Sequence, residues 1–272
     1  MNVGEDNLSI DSGIVRMTWC NEFKKIYIDY DNKFEGDSHI EIHLVFDFDS
    51  NGYKIGEGVN ELSGGKVKHS FIPYGEIVAT TKAHDLDLHE ARGHGTFIHA
   101  LSTGILPYNV GVLWDFCVAA GKSETTGETF VFHILQYLTP EKADSKLITQ
   151  GALIRDGKRG IYFWDNKVEH KNIAKSEVSG YDIPKNILLT MNGETEDGEK
   201  ASLVLDAHPD EFLSEIDILG NMNRVLRTVV QAIVTKPFLC NWIDNNCVLK
   251  LKVGDTEETL KGVSFHEITY MS

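Results

Sequence analysis

The sequence predicts an all-β protein built on an antiparallel barrel or sandwich. Three observations carry this reading. Residues 39–48 alternate strictly: Ile40, Ile42, Leu44, Phe46 and Phe48 face one way, and His39, Glu41, His43 and Asp47 the other. That is the period-two pattern of a strand with one buried and one wet face. Residues 112–119 and 129–138 are aromatic or aliphatic at almost every position, as strands covered on both faces are. Glycine-centred turns separate strand-length runs from end to end, and a barrel of eight to ten such strands has no exposed edge and room for one small ligand.

Taken in order, residues 14–19, 25–30 and 39–48 form the first three strands. The Ser63-Gly64-Gly65 turn is a natural boundary, dividing the chain into a partial β-domain over 1–64 and a barrel over 65–272. Strands follow at 66–73, 76–83 and 85–91. The stretch Gly93-His94-Gly95 fits neither a plain strand nor a helix, because glycine is favoured where a backbone turns left-handed or approaches something closely. Further strands lie at 112–119, 129–138, 147–154, 160–165, 168–174, 186–192 and 201–206. Asp156-Gly157 and Asp197-Gly198 suit tight hairpins between them. Met222, Val225, Leu226, Val229, Val230 and Ile233 recur at helical spacing, opposite Arg224, Arg227, Thr228 and Gln231. This predicts an amphipathic helix over 222–234, ended before Pro237. Strands at 238–243, 247–253 and 263–271 close the chain.

Composition narrows the function. The 272 residues carry a net charge of −15, which opposes binding to nucleic acid or electrostatic docking on anionic membranes. Residues 1–8 lack the pattern of a signal peptide and no apolar run reaches membrane-spanning length, so a cytosolic protein is expected. The four cysteines, Cys20, Cys117, Cys240 and Cys247, form no Cys-x-x-Cys motif. They read as free thiols, although Cys240 and Cys247 could face each other across a hairpin.

No phosphate loop, dinucleotide fingerprint or nucleophile elbow is present. His89, His94 and His99 are spaced by five, which suits neither a helix face nor a strand face for zinc, and His39, Glu41 and His43 read as a solvated stripe. No metal or other cofactor is called for. Acid and base candidates are those that interrupt apolar strands: Asp115, His99, His133 and Glu267. For a hydrophobic ligand the candidates are Trp114, Phe116, Phe130, Phe132, Tyr137, Tyr162, Phe163 and Trp164 as cavity lining, with Asp115, His133 and Gln136 as placed polar groups. The same residues would also build a filled core without a cavity.

Several segments together resemble the fungal survival factor 1 family. They are Gly64-Gly65-Lys66-Val67-Lys68-His69-Ser70-Phe71, the run from Gly93 to Leu101, Trp114-Asp115-Phe116, Thr235-Lys236-Pro237-Phe238, the run from Leu249 to Gly254, and that from Gly262 to Glu267. The resemblance implies tandem lipocalin-like (calycin) barrels, survival of oxidative stress, sphingolipid metabolism, and carriage of ceramide between internal membranes. Distant relatives are carotenoid hydratases. The expectation is therefore a non-enzymatic carrier of a ceramide-like lipid, cytoplasmic and peripheral on endoplasmic reticulum or Golgi membranes. Its ligand residues would be Trp114, Asp115, Phe116, Phe132, His133, Gln136, Tyr137, Phe163 and His99. The alternatives are a hydratase or cyclase acting on a terpenoid-like substrate, and a silent interaction module. The 64 residues before the barrel are too few for a whole first barrel, so the first domain is curtailed or the chain belongs to a longer product.

Overall fold

The structure, a computed structural model, describes residues 2–3, 9–20, 24–33, 39–48, 58–62, 64–83, 86–105, 109–155, 160–220 and 236–271. These fall into two compact units. One comprises Met1–Tyr53 and Phe71–Ile98, the other Lys54–Ser70 and His99–Ser272. The Gly64-Gly65 turn lies inside the second unit.

An antiparallel sheet is built from β1 (Asn2–Val3), β2 (Ser9–Asp11), β3 (Val15–Cys20), β4 (Lys25–Lys33), β5 (His39–Asp47), β6 (Val59–Leu62), β7 (Gly65–Ala83) and β8 (Leu86–Thr103). The strand order is β1-β2-β3-β4-β5-β7-β6, and β8 also pairs with β7. In the first unit, Ile40, Ile42, Leu44 and Phe46 of β5 are half-buried, His43 and Asp47 are exposed, and the deepest burial comes just past the strand. Phe48 is buried, and its ring lies 6.0 Å from those of both Phe46 and Phe97. Gly93 and Gly95 correct the sequence reading: both sit within the continuous strand β8, and neither is among the positive-φ glycines. A Cβ on Gly95 would meet Ile77 Cδ1 at 2.5 Å, so close approach, not a turn, explains that glycine.

The second unit contains β9 (Leu113–Ser123), β10 (Thr129–Leu138), β11 (Leu147–Arg155), β12 (Ile161–Lys171), β13 (Ala174–Lys175), β14 (Asp182–Ile183), β15 (Asn186–Thr195), β16 (Lys200–Ala207), β17 (Glu211–Asp217), β18 (Phe238–Val253) and β19 (Thr256–Tyr270). Eight of these close into an antiparallel barrel in the order β9-β10-β11-β12-β15-β16-β18-β19 and back to β9. This is the lipocalin-like architecture. β18 bends from one neighbour to another: its first half pairs with β17 and its second half with β16. The bulge between Asp244 and Cys247 accompanies that change and joins two predicted strands into one. Cys240 and Cys247 therefore lie on the same strand, not across a hairpin, and all four cysteines are free. A second bulge, between Phe163 and Asp165, likewise joins the two strands expected at 160–165 and 168–174. β17 and the short β13–β14 ladder had no counterpart in the sequence reading. The expected Asp156-Gly157 turn and the 222–234 helix lie outside the described residues.

The barrel interior is packed. Phe132, Ile134, Phe163, Met191, Leu203, Leu205, Leu249 and Leu260 are all fully buried in one cluster. Phe132 and Phe163, both named as lining candidates, lie in this cluster. Large side chains from facing strands interdigitate and fill a barrel of this girth. Of the other proposed lining residues, Phe130 is core, whereas Trp164 points outward and is 45% exposed.

Candidate functional site

Successive residues on a strand point to opposite faces. Trp114 and Asp115 cannot share a pocket, nor can Gln136 and Tyr137. The structure sorts the nine candidate ligand residues by this rule into separate groups.

On the outer face of β9 and β10, Trp114 stacks on Tyr137 with ring centroids 4.3 Å apart. His69 approaches Tyr137 at 5.8 Å, and Leu62, Val67 and Val110 complete the cluster. Phe116 and His133 alternate onto this same outer face, and His133 is wholly buried. Burial holds the His133 imidazole down at about 3 and that of His69 at about 4, so both are neutral at pH 7. Burial also raises the Tyr137 phenol to about 12. Phe132 and Phe163 are core. His99 is exposed on β8 and joins neither group.

The inward-facing members Asp115 and Gln136 do converge. They are direct cross-strand partners, which places their side chains side by side. His170 of β12 closes on Asp115, its Nε2 2.6 Å from Oδ1. Thr149 of β11 is the next cross-strand partner of Gln136, and its hydroxyl accepts from Asn166 Nδ2 at 2.9 Å. Asp115, Gln136, Thr149, Asn166 and His170 thus form a polar belt inside one end of the barrel. Sequence reasoning missed His170 and Asn166. Their signal was the two-residue spacing of Asn166, Val168 and His170, readable only once the bulge before them is known.

A pocket of about 270 Å³ opens at this belt, lined by Leu113, Asp115, Gln136, Leu138, Leu147, Lys167, Val168 and His170. Its origin lies in the strand pairing. β10 and β11 pair over nine residues, but β11 and β12 only from Gly151↔Phe163 to Leu153↔Ile161. Beyond Gly151 the two strands part, and Asn166 to Thr149 is a side-chain bond across the gap. The same end carries the β13–β14 hairpin. Tyr181 there stacks on Tyr270 at 4.5 Å, while the Tyr270 hydroxyl donates to the Asp182 carbonyl at 2.7 Å. At the opposite end, Arg155 pairs with Glu128 and Glu258.

Deeper in the barrel, Ser264 Oγ lies 2.8 Å from His266 Nε2, with Cys117 Sγ 3.9 Å from the same nitrogen. Burial lowers His266 to about 4 and raises the Cys117 thiol, so this group is neutral and structural. Burial likewise lifts Cys240 to about 12 and Cys247 to about 11, far from thiolate reactivity. Glu267 is raised by burial and receives a hydrogen bond from Thr269 on the outer side of β19. Among the described residues no group of three or more His, Cys, Asp or Glu is placed to hold a metal ion.

A family model described as the Svf1 family matches residues 1–272. The chain is 26% identical over 231 residues to the ceramide-binding protein svf-1 of Neurospora crassa, covering 81% of this chain and 58% of that protein. It is 25% identical over 240 residues to the ceramide-binding protein svf1 of Emericella nidulans, covering 85% and 61%. The chain thus spans about three fifths of the length of these relatives. Among solved structures, a putative AttH from Nitrosomonas europaea superposes with a TM-score of 0.62 at 10% identity, covering 98% of this chain and 71% of that one. Kievitone hydratase from Nectria haematococca superposes with a TM-score of 0.58 at 10% identity, covering 96% and 70%. At that identity the likeness is one of fold.

Proposed function

Since the chain belongs to the Svf1 family, we propose that it binds a ceramide-like lipid without covalent chemistry, at the open end of its barrel. The observation that carries this reading is the pocket in the β11–β12 gap, where a polar belt borders Leu113, Leu138, Leu147 and Val168. A ceramide head is uncharged and rich in hydrogen-bonding groups, and its chains gain about 0.8 kcal/mol per buried CH₂. Relatives named as ceramide-binding proteins support the same ligand class.

The pocket has room for a head group but not for two long chains. Chain binding is therefore coupled to separation of β11 from β12, whose three-residue ladder is the shortest in the barrel. The carrier acts in the cytoplasm, meets endoplasmic reticulum or Golgi membranes transiently, and supports survival under oxidative stress. A second reading, a hydratase or cyclase on a terpenoid-like substrate, is favoured by one observation. The 2.6 Å Asp115–His170 contact is a carboxylate–imidazole pair of the kind that relays protons.

The test is to express the chain in eukaryotic cells, purify it without detergent, and identify the lipids it carries by mass spectrometry. Near-stoichiometric ceramide, recovered unchanged after incubation, supports the carrier. Ceramide neither carried nor taken up from loaded vesicles overturns it. Conversion of a terpenoid-like substrate, lost in Asp115→Asn, supports the enzyme.

A further inference from the structure

Two buried oxygens in the polar belt lack hydrogen-bond partners among the described residues: Gln136 Oε1 and Asn166 Oδ1. Gln136 is 5% exposed and Asn166 7%. The orientation of Asn166 is fixed by its Nδ2, which donates to both Thr149 Oγ1 and the Phe163 carbonyl. Its oxygen is therefore the group left over. A buried acceptor without a donor costs stability, so its retention calls for an explanation. Asp115 adds a third acceptor, since His170 engages only its Oδ1.

The basic side chains near the belt already have partners: His170 Nε2 with Asp115 Oδ1, and Lys167 with Glu169 at 3.1 Å. The buried belt atoms left without a partner are acceptors. We propose that this belt is an acceptor subsite, selecting an uncharged head group with several O–H or N–H donors and rejecting acceptor-only anions such as carboxylates and phosphomonoesters. It rests on the lipid reading above and makes it specific. A sphingoid amide with free hydroxyls presents two O–H donors and one N–H donor. Phosphorylation of its primary hydroxyl replaces a donor by an anion, which would be brought against the Asp115 carboxylate and the Gln136 oxygen. Discrimination of this kind is strong because a mismatch leaves buried polar groups unpaired.

The experiment compares three fluorescent probes with the same acyl chain: a short-chain ceramide, its 1-phosphate, and the free fatty acid. Wild-type protein should bind the ceramide at least tenfold more tightly than either anion. Gln136→Leu should weaken ceramide binding five- to tenfold, the loss of about one hydrogen bond. The same substitution should leave the melting temperature of the lipid-free protein unchanged or higher, because it removes an orphaned acceptor, an effect that a purely structural glutamine would not show. Asp115→Asn, which keeps the side-chain shape, should narrow the preference for ceramide over its 1-phosphate. An anion bound as tightly as ceramide by the wild type overturns the acceptor subsite and leaves lipid binding standing, as does unchanged ceramide affinity in both variants. A lower melting temperature for Gln136→Leu overturns the claim that its oxygen is kept for a ligand. Binding of none of the three probes overturns the lipid reading itself, and the subsite with it.

Discussion

His133 and His266 are buried as neutral imidazoles, with burial lowering them to about 3 and about 4. In the unfolded chain each titrates near 6.5. Their folded values are depressed, so between roughly pH 6 and pH 4.5 unfolding takes up a proton at each. The stability they support is complete above pH 6.5 and declines as the pH falls toward the folded values. Together they should contribute roughly 3 kcal/mol of loss per pH unit in that window, measurable by urea denaturation at pH 7, 6 and 5. His133→Leu should remove about half of that slope. A second prediction at this scale separates core from surface. Phe132→Ala should cost about 3–5 kcal/mol, since Phe132 is wholly buried in the barrel cluster. Trp164→Ala should cost well under half of that in the same assay, because the ring is half exposed. The sequence marked both as aromatic strand residues. It did not show which one faced the core, since the register around the Phe163/Asp165 bulge decides it.

Each barrel element is defined by its neighbour as much as by its own residues. Gly121 of β9 is the cross-strand partner of Gly262 of β19, and a Cβ on Gly121 would lie 1.9 Å from the Lys261 carbonyl oxygen. The two strands can approach only because both positions lack side chains. Gly121→Ala should therefore destabilise the protein by several times the ~0.5–1 kcal/mol that glycine ordinarily concedes to alanine, but in the opposite sense. Thermal unfolding of the purified variant would measure it. The β11–β12 ladder makes the complementary prediction. If its short pairing is where the barrel opens, amide hydrogens of 147–150 and 166–170 should exchange faster than those of β18 and β19, and should gain protection when ceramide is bound. Equal protection with and without ceramide would place the opening elsewhere. Strand existence was largely legible because period-two patterning is local. The bulges in β12 and β18 were not, because a bulge answers to the partner strand.

At the scale of the molecule, closure joins β16 to β18 and leaves β17 as an appendage outside the ring. Closure pairs the barrel edges except where β11 and β12 part beyond Gly151, and the packed interior supplies stability without any ligand. A ligand that binds only the folded state adds to this by mass action. Ceramide at a hundred times its dissociation constant should contribute about 2.7 kcal/mol, roughly 5–10 °C in melting temperature for a chain of this size. Scanning calorimetry with ceramide delivered on a soluble carrier would test this. No shift at saturating ceramide would argue that the folded barrel does not hold it.

By itself the sequence determined the antiparallel all-β class, most strand positions, and a family resemblance that its motifs carry. These follow from composition, from alternation within single strands, and from local turn chemistry. Only the tertiary structure decided which residues meet. It divided Trp114 and Tyr137 from Asp115 and Gln136, placing the first pair outside the barrel and the second inside. It also supplied His170, which lies 55 residues from its partner Asp115 in the chain. It packed Phe132 and Phe163 into the core cluster, where the sequence had left lining and core open. The physical reason is the same throughout: a side chain's face is set by strand register, and register is set by pairing with strands remote in sequence.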